Sequence, residues 1–295
     1  MTSSKSTPRF VSENTRVMER GEDLRQAIQQ ERTLGRRIGL VSTMGALHDG
    51  HLSLVRAARK ECDGVVATIF VNPSQFSPQE DLGKYPHTLQ ADVEALAELD
   101  VEWVFIPSSD EMYPEGYSTF VDPPKVAVLW EGQCRSGHFR GVATVVLKLF
   151  QLAPADVAYF GQKDYQQWLV IRQMARDLNV PVEIRICPIV REPDGLAMSS
   201  RNRYLNGVER QQALGLSKSL ERARQQVAGG AREMAAVIET MRHTLAEAGI
   251  TNIDYLAIAD PETLEPITHL DSTAVALIAA YVGATRLIDN CLLKV

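Results

Sequence analysis

Ile38-Gly39-Leu40-Val41-Ser42-Thr43-Met44-Gly45-Ala46-Leu47-His48-Asp49-Gly50-His51-Leu52 joins an apolar run to a segment with helical spacing. An apolar run that passes through a glycine-containing turn into a helix is the βα unit of a parallel sheet. His48 and His51 open the first turn of that helix, where unpaired backbone N–H groups and the helix dipole favour an anion. Gly45 and Gly50 let the main chain bend and approach a bulky ligand. The stretch outlines a polyphosphate site.

Outward from it, the same alternation repeats. Apolar runs at Val65–Val71, Val101–Ile106, Val157–Phe160 and Val182–Cys187 read as strands. Leu52–Glu61, Leu89–Leu99, Val142–Leu152 and Tyr165–Leu178 read as helices between them. Strands apolar on both faces with helical crossovers predict an α/β fold with a doubly wound parallel sheet. Ligands of such sheets gather at the carboxyl ends of the strands. His48 and His51, Asn72 and Gln75, and Lys163 and Asp164 all follow strand ends, so one rim is expected to collect them. After about Val190 the pattern changes: helices at Glu209–Val227 and Arg232–Ala248 flank Gly229-Gly230. Strands follow at Ile253–Ala259, Ala274–Val282 and Thr285–Ile288, the last two joined at Gly283. The expected division is residues 1–189 for the sheet domain and 190–295 for a smaller α+β domain.

Bulk properties narrow the function. Of the 295 residues, 45% are hydrophobic and 23% charged, the ordinary balance of a globular protein with a real core. The formal net charge of -6 argues against a nucleic-acid surface, so any polyanion must be held by a local cluster of cations. Cys62, Cys134, Cys187 and Cys291 contain no C-x-x-C pair, which argues against a zinc site or a disulfide framework and fits a reducing cytosol. No stretch is apolar enough to span a membrane. Met1–Arg9 is Ser/Thr-rich without an apolar core and reads as a frayed terminus rather than a signal peptide.

Each chemical motif has a plainer alternative. The two imidazoles suit zinc, but no third ligand is suitably spaced; as packing histidines they need no ligand at all. Their place between glycines at a strand-to-helix turn favours contact with phosphate. Met198-Ser199-Ser200-Arg201, after Arg191-Glu192-Pro193-Asp194-Gly195, reads either as a polar surface loop or as a mobile loop bringing hydroxyls and a permanent cation to phosphates. Gly161-Gln162-Lys163-Asp164 offers close approach, a point charge and a group for an N-cap or a ribose hydroxyl; a capped helix with a solvated lysine stays open. Gln75 and Gln167 suit a hydroxy-acid with their paired donors and acceptors, or simply cap backbone groups.

These elements, in this order, together with Ser136-Gly137-His138-Phe139-Arg140-Gly141-Val142 and Asp254-Tyr255-Leu256, resemble the pantothenate synthetase (pantoate–β-alanine ligase) family of adenylate-forming nucleotidyltransferases. The resemblance runs from about Arg16 to the C-terminus. It implies a Rossmann-like first domain, a smaller C-terminal lid domain, dependence on ATP and Mg2+, and a cytoplasmic homodimer. Met44, Gly45, Ala46, Leu47, His48, Asp49, Gly50 and His51 then match the family's ATP-binding turn, with His51 at the position of the proton donor and His48 beside it on the phosphates. Gly161, Gln162, Lys163, Asp164, Val190, Met198, Ser199, Ser200 and Arg201 match further ATP-binding positions. Gln75 and Gln167 match the pantoate-binding glutamines, Asp92 an acidic residue near magnesium, and Tyr85 and Arg135 cleft residues. One departure stands out: Ser42 occupies a place where many relatives have proline, which loosens the expected rigidity of the first loop.

The implied chemistry has two steps. Pantoate's carboxylate attacks the α-phosphate of ATP to give pantoyl adenylate and pyrophosphate, and the amine of β-alanine then displaces AMP to form pantothenate. Positioned cations stabilise the charge that builds on phosphate oxygens, a task for His48, His51, Lys163 and Arg201. Three rivals are weighed: a nucleotidyltransferase joining AMP to a phosphate, an RNA-charging synthetase, and a nucleotide sensor without turnover. The paired glutamines and the long C-terminal domain oppose the first, the acidic balance the second, and the full set of cationic groups the third.

Overall fold

The computed structural model describes residues 9–11, 14–76 and 88–295. Tyr85 and residues 1–8 lie outside that set, and Arg9 belongs to a two-residue strand. The strands in chain order are β1 (Arg9–Phe10), β2 (Arg16–Met18), β3 (Ile38–Thr43), β4 (Gly64–Ile69), β5 (Trp103–Phe105), β6 (Val157–Gly161), β7 (Glu183–Cys187), β8 (Ile253–Ala259), β9 (Thr273–Val282) and β10 (Thr285–Lys294). The helices are α1 (Gly21–Thr33), α2 (Asp49–Glu61), α3 (Leu89–Ala97), α4 (Ser109–Met112), α5 (Glu131–Cys134), α6 (His138–Leu152), α7 (Tyr165–Asp177), α8 (Gly207–Ala228) and α9 (Met234–Glu247). They group into two compact units.

The first unit takes the described residues of 1–124 with Arg135–Gly161 and Val170–Cys187. Its sheet has the order β1-β2-β5-β4-β3-β6-β7. From β2 to β7 every pairing is parallel, and only β1 runs against its neighbour. The strand order turns back at β3, which pairs with β4 on one side and β6 on the other. A crevice opens at the carboxyl ends of such a pair of strands, because their crossovers leave in opposite directions. β4 is buried at all six positions, as a strand covered on both faces must be. Leu54, Val55 and Ala58 of α2 join Val41, Val65 and Tyr159 in one apolar cluster.

Several element bounds differ from the sequence expectation. β3 continues through Ser42, paired with Thr68, to Thr43, so the following turn leaves a laddered residue despite the missing proline. Residues 16–18 and 21–33 form β2 and α1, which apolar periodicity did not reveal: α1 carries only Leu24, Ala27 and Ile28 as apolar residues. α2 begins at Asp49 and α6 at His138, earlier than the apolar spacing suggests, because polar residues build their first turns.

The second unit takes Lys125–Cys134, Gln162–Leu169 and Pro188–Val295. Its antiparallel sheet has the order β10-β9-β8, with β9 and β10 joined by a two-residue turn between the paired Val282 and Thr285. Gly283 takes φ +57 there, the left-handed geometry that a tight hairpin requires. α8 and α9 share with this sheet one apolar cluster that includes Leu216, Met241, Ile278 and Leu287. β10 runs to Lys294, six residues past the expected Ile288.

Candidate active site

In the first unit, the turn 43–51 is held from three sides. Thr43 Oγ1 donates to Thr68 O at 2.7 Å and accepts the Gly45 N–H at 3.2 Å. Gly45 and Ala46 then adopt φ +82 and +52, which turns successive N–H groups in one direction. Ala46 N–H donates to Asp92 Oδ2 at 2.9 Å and Leu47 N–H to Asp92 Oδ1 at 2.8 Å. Thr88 Oγ1 donates to the same carboxylate at 3.1 Å. Asp92 is 3% exposed, so these charge-assisted bonds sit in a low-dielectric setting where they are strong. The acidic residue that the resemblance assigns to the neighbourhood of magnesium is thus occupied with the turn's backbone. Among the described residues no three His, Cys, Asp or Glu side chains cluster as metal ligands would.

The imidazoles cap α2. His48 is the N-cap, and its Nδ1 accepts the Gly50 N–H at 3.1 Å. His51 Nδ1 accepts the His48 N–H at 3.4 Å, and the two rings lie 4.1 Å apart at 30°. An Nδ1 that accepts carries no hydrogen, so each neutral ring has its proton on Nε2. The capping role fixes the tautomer and makes each Nε2 a donor. Asp49 is exposed in the first helical turn, 3.5 Å from Arg56.

Gln75 closes a 3-10 turn, Pro73–Gln75, that follows β4. Its Oε1 accepts from Asn72 Nδ2 at 3.1 Å, and its Nε2 points to Met44 Sδ at 3.1 Å. Asn72 Oδ1 accepts from Tyr113 Oη at 2.7 Å, and its Nδ2 also reaches Gly141 O at 3.3 Å. A Cβ on Gly141 would overlap the Ser74 carbonyl and stand 2.7 Å from Gln75 Cα, so only glycine lets α6 come this close. His138 explains the quoted motif around it. Its Nε2 must accept from Arg135 Nη1 at 3.0 Å, which leaves Nδ1–H to donate to Gln75 O at 2.9 Å. Arg135 is thereby connected to the Gln75 turn. Gly161 ends β6, beside Cys187 of β7.

In the second unit, Gln162–Asp164 forms a 3-10 turn ahead of α7. Lys163 Nζ lies 3.7 Å from Asp164 Oδ1 and keeps about a fifth of its side chain exposed. Gln167 sits half-buried in the first turn of α7. Gln166, which the sequence reading passed over, is buried: its Nε2 donates to Val126 O and Leu129 O, and its Oε1 accepts the Glu131 N–H. Glu131 in turn takes both Nη atoms of Arg286 at 2.8 and 2.9 Å and the Tyr255 hydroxyl at 3.0 Å. Burial, then the Glu131 charge, hold that phenol well above its usual pKa, so Tyr255 stays a donor.

The segment that reads either as a polar surface loop or as a mobile loop forms a bonded hairpin. Arg191 bridges Ala197, Met198 N–H donates to Val190 O, and Gly195 turns at φ +95. Arg210 ties it down through Glu192 at 2.7 Å and Asp194 at 2.7 Å, which holds both carboxyls below their usual range. Ser199 caps the next 3-10 turn by accepting the Arg201 N–H at 3.3 Å, and Ser200 is 8% exposed.

The family model described as pantoate-beta-alanine ligase matches residues 16–292. A pantothenate synthetase of Acidobacterium capsulatum is 54% identical over 258 residues, covering 88% of this chain and 86% of the relative. The crystal structure of pantothenate synthetase from Thermus thermophilus superposes with a TM-score of 0.89 at 44% identity, covering 93% of this chain and 98% of that one. That of pantoate-beta-alanine ligase from Francisella tularensis, complexed with beta-gamma ATP and beta-alanine, gives 0.75 at 35% identity over 94% and 97%.

Proposed function

The chain belongs to the pantoate-beta-alanine ligase family, and from that membership we infer that it joins the carboxylate of pantoate to the amine of β-alanine with ATP as the activating substrate. It is a carbon–nitrogen ligase. A carboxylate has no competent leaving group, so it must first be charged. Pantoate attacks the α-phosphate and expels pyrophosphate; the neutral amine of β-alanine then attacks the acyl carbon and expels AMP.

The observation that carries this reading is the turn 43–51: two imidazoles at the start of α2 whose Nδ1 atoms accept backbone N–H groups, which makes each Nε2 a donor. Donors fixed before substrate arrives need no reorganisation as charge builds in the transition state. His48 and His51 are assigned to the phosphates, His51 as proton donor. Lys163, Arg201 and the hydroxyls of Ser199 and Ser200 are assigned to the β- and γ-phosphates, Gly161–Asp164, Val190 and Met198 to the nucleotide, and Gln75 and Gln167 to pantoate.

Magnesium is the expected companion of the triphosphate. The described residues do not build a site for it, since Asp92 spends both oxygens on backbone N–H groups. A metal carried chiefly by phosphate oxygens and water suits that donor set. A homodimer in the cytoplasm remains the family-based expectation; light scattering of the full chain tests the dimer. No helix among the described residues is long and apolar enough to cross a membrane.

The deciding experiment follows pyrophosphate with ATP and pantoate, with and without β-alanine. A burst limited to one equivalent without β-alanine, and steady release of pyrophosphate, AMP and amide with it, are expected. Formation of ADP and phosphate instead would overturn the adenylate route.

A further inference from the structure

Strand β10 carries two adjacent polar residues where its neighbours are apolar. Leu287, Cys291 and Leu293 belong to the apolar cluster under α8 and α9. Asp289 shares their parity along the strand and is 3% exposed; Asn290, at 2%, faces the other way. Burying a carboxylate or a carboxamide costs several kcal/mol unless every polar atom finds a partner. Both residues meet that demand at segments distant in sequence.

Asn290 Nδ2 donates to Gln162 O and Lys163 O, each at 2.9 Å, and its Oδ1 accepts from Gln162 Nε2 at 3.2 Å. A carboxamide has the two donors on one nitrogen that two successive carbonyls require; a carboxylate, hydroxyl or alkyl group has not. Asp289 receives Arg191 Nη1 at 2.7 Å and Nη2 at 3.0 Å, and its Oδ1 also accepts the Asn290 N–H at 2.8 Å. Arg191 Nη1 donates onward to Gly195 O at 3.1 Å, across the hairpin that leads into Met198–Arg201. One face of β10 therefore grips the turn that presents Lys163, and the other grips the base of the hairpin that presents Ser199, Ser200 and Arg201.

We propose that Asp289 and Asn290 are a positioning pair that sets the Lys163 turn and the 190–201 hairpin at the spacing a triphosphate needs. The pair touches no reacting atom; it acts through the backbone of one segment and the guanidinium of the other. Alternation of strand faces lets two adjacent residues address two loops, so a rigid ladder, paired with β9 along its whole length, supplies the ruler. The inference rests on the reading that both segments bind ATP.

The test uses the full chain. Asn290→Leu keeps volume and removes both donors; Asp289→Asn keeps shape and removes the charge that holds Arg191. Each is expected to raise KM for ATP about tenfold, the scale of one or two lost buried hydrogen bonds, while KM for pantoate and for β-alanine stays within about twofold. A merely structural role would lower the unfolding midpoint without that split. Arg191→Lys, at the half-exposed end of the pair, replaces the bidentate contact by a single one and serves where a buried variant does not fold. ATP KM within about twofold of the parent in the folded variants overturns the positioning pair. Lys163→Ala run alongside separates the two ideas. If it leaves ATP KM and turnover unchanged, the assignment of that turn to ATP fails and takes the inference with it. If it is impaired while the β10 variants are not, only the positioning pair fails.

Discussion

Asp92 and Lys163 show how differently two charged residues can serve the proposed phosphate site. Lys163 is a point charge with about a fifth of its side chain exposed, and its proposed worth lies in the transition state. Lys163→Ala should fold and lose about 10²–10³ in turnover, the scale of one charge-stabilising donor; steady-state kinetics near the parent rate would remove it from the site. Asp92 is buried and acts through geometry. In Asp92→Asn a single oxygen replaces two, and the new NH2 faces a backbone N–H, donor against donor. ATP affinity should fall about tenfold, from one unpaired buried group, with pantoate affinity less affected. Equal ATP affinities by titration calorimetry would contradict the clamp. Neither role follows from residue type, since an aspartate near an ATP turn reads as readily as a metal ligand.

At the scale of elements, the hairpin 190–201 is held by Arg210 of α8 against Glu192 and Asp194. Hydrogen bonds from Arg210, the largest cause for each, depress both carboxyls from ordinary values of 4.5 and 3.8. A depressed folded pKa stabilises above the unfolded value and loses that contribution as pH falls through the lower folded one. The parent should therefore unfold at a higher temperature than Arg210→Met near neutrality, and the two curves should converge as pH falls through the depressed folded values. Solvent around the hairpin keeps the difference modest. A gap in unfolding midpoint that is unchanged from neutrality down to acid would refute the ion-pair account. Pro193, Asp194 and Gly195 favoured a polar surface loop; they form a tight turn, because partners from α8 and β10 hold its two sides.

At the scale of the molecule, the second unit is assembled from three stretches, and contacts far apart in sequence explain why. Glu131 takes Arg286 and Tyr255, while Gln162 and Lys163 take Asn290. A fragment of residues 1–189 keeps Glu131 and Lys163 but loses every one of those partners. It should unfold less cooperatively than the full chain, and residues 125–134 and 162–169 should be its first sites of proteolysis. Cooperative unfolding of that fragment at the parent midpoint, with both segments protected, would show that they do not depend on the C-terminal strands.

Local chemistry sufficed for much of this protein. Alternating apolar runs and helical spacing determined the parallel sheet, and the glycines and imidazoles after Val41 marked the turn at the end of β3 as the proposed place for phosphate. Those signals are legible because burial repeats with the period of the element that carries it. Tertiary structure alone decided the rest: β2 and α1, whose few apolar residues leave little period to read; Asp92 as the clamp on Ala46 and Leu47; His138 as the link between Arg135 and Gln75; and Asp289-Asn290 behind Lys163 and Arg191. Each of the last three rests on a polar pairing across tens of residues or more. A hydrogen bond has direction and a range of about 3 Å, so its partner is chosen by where the chain returns in space, and periodicity along the chain carries no record of that.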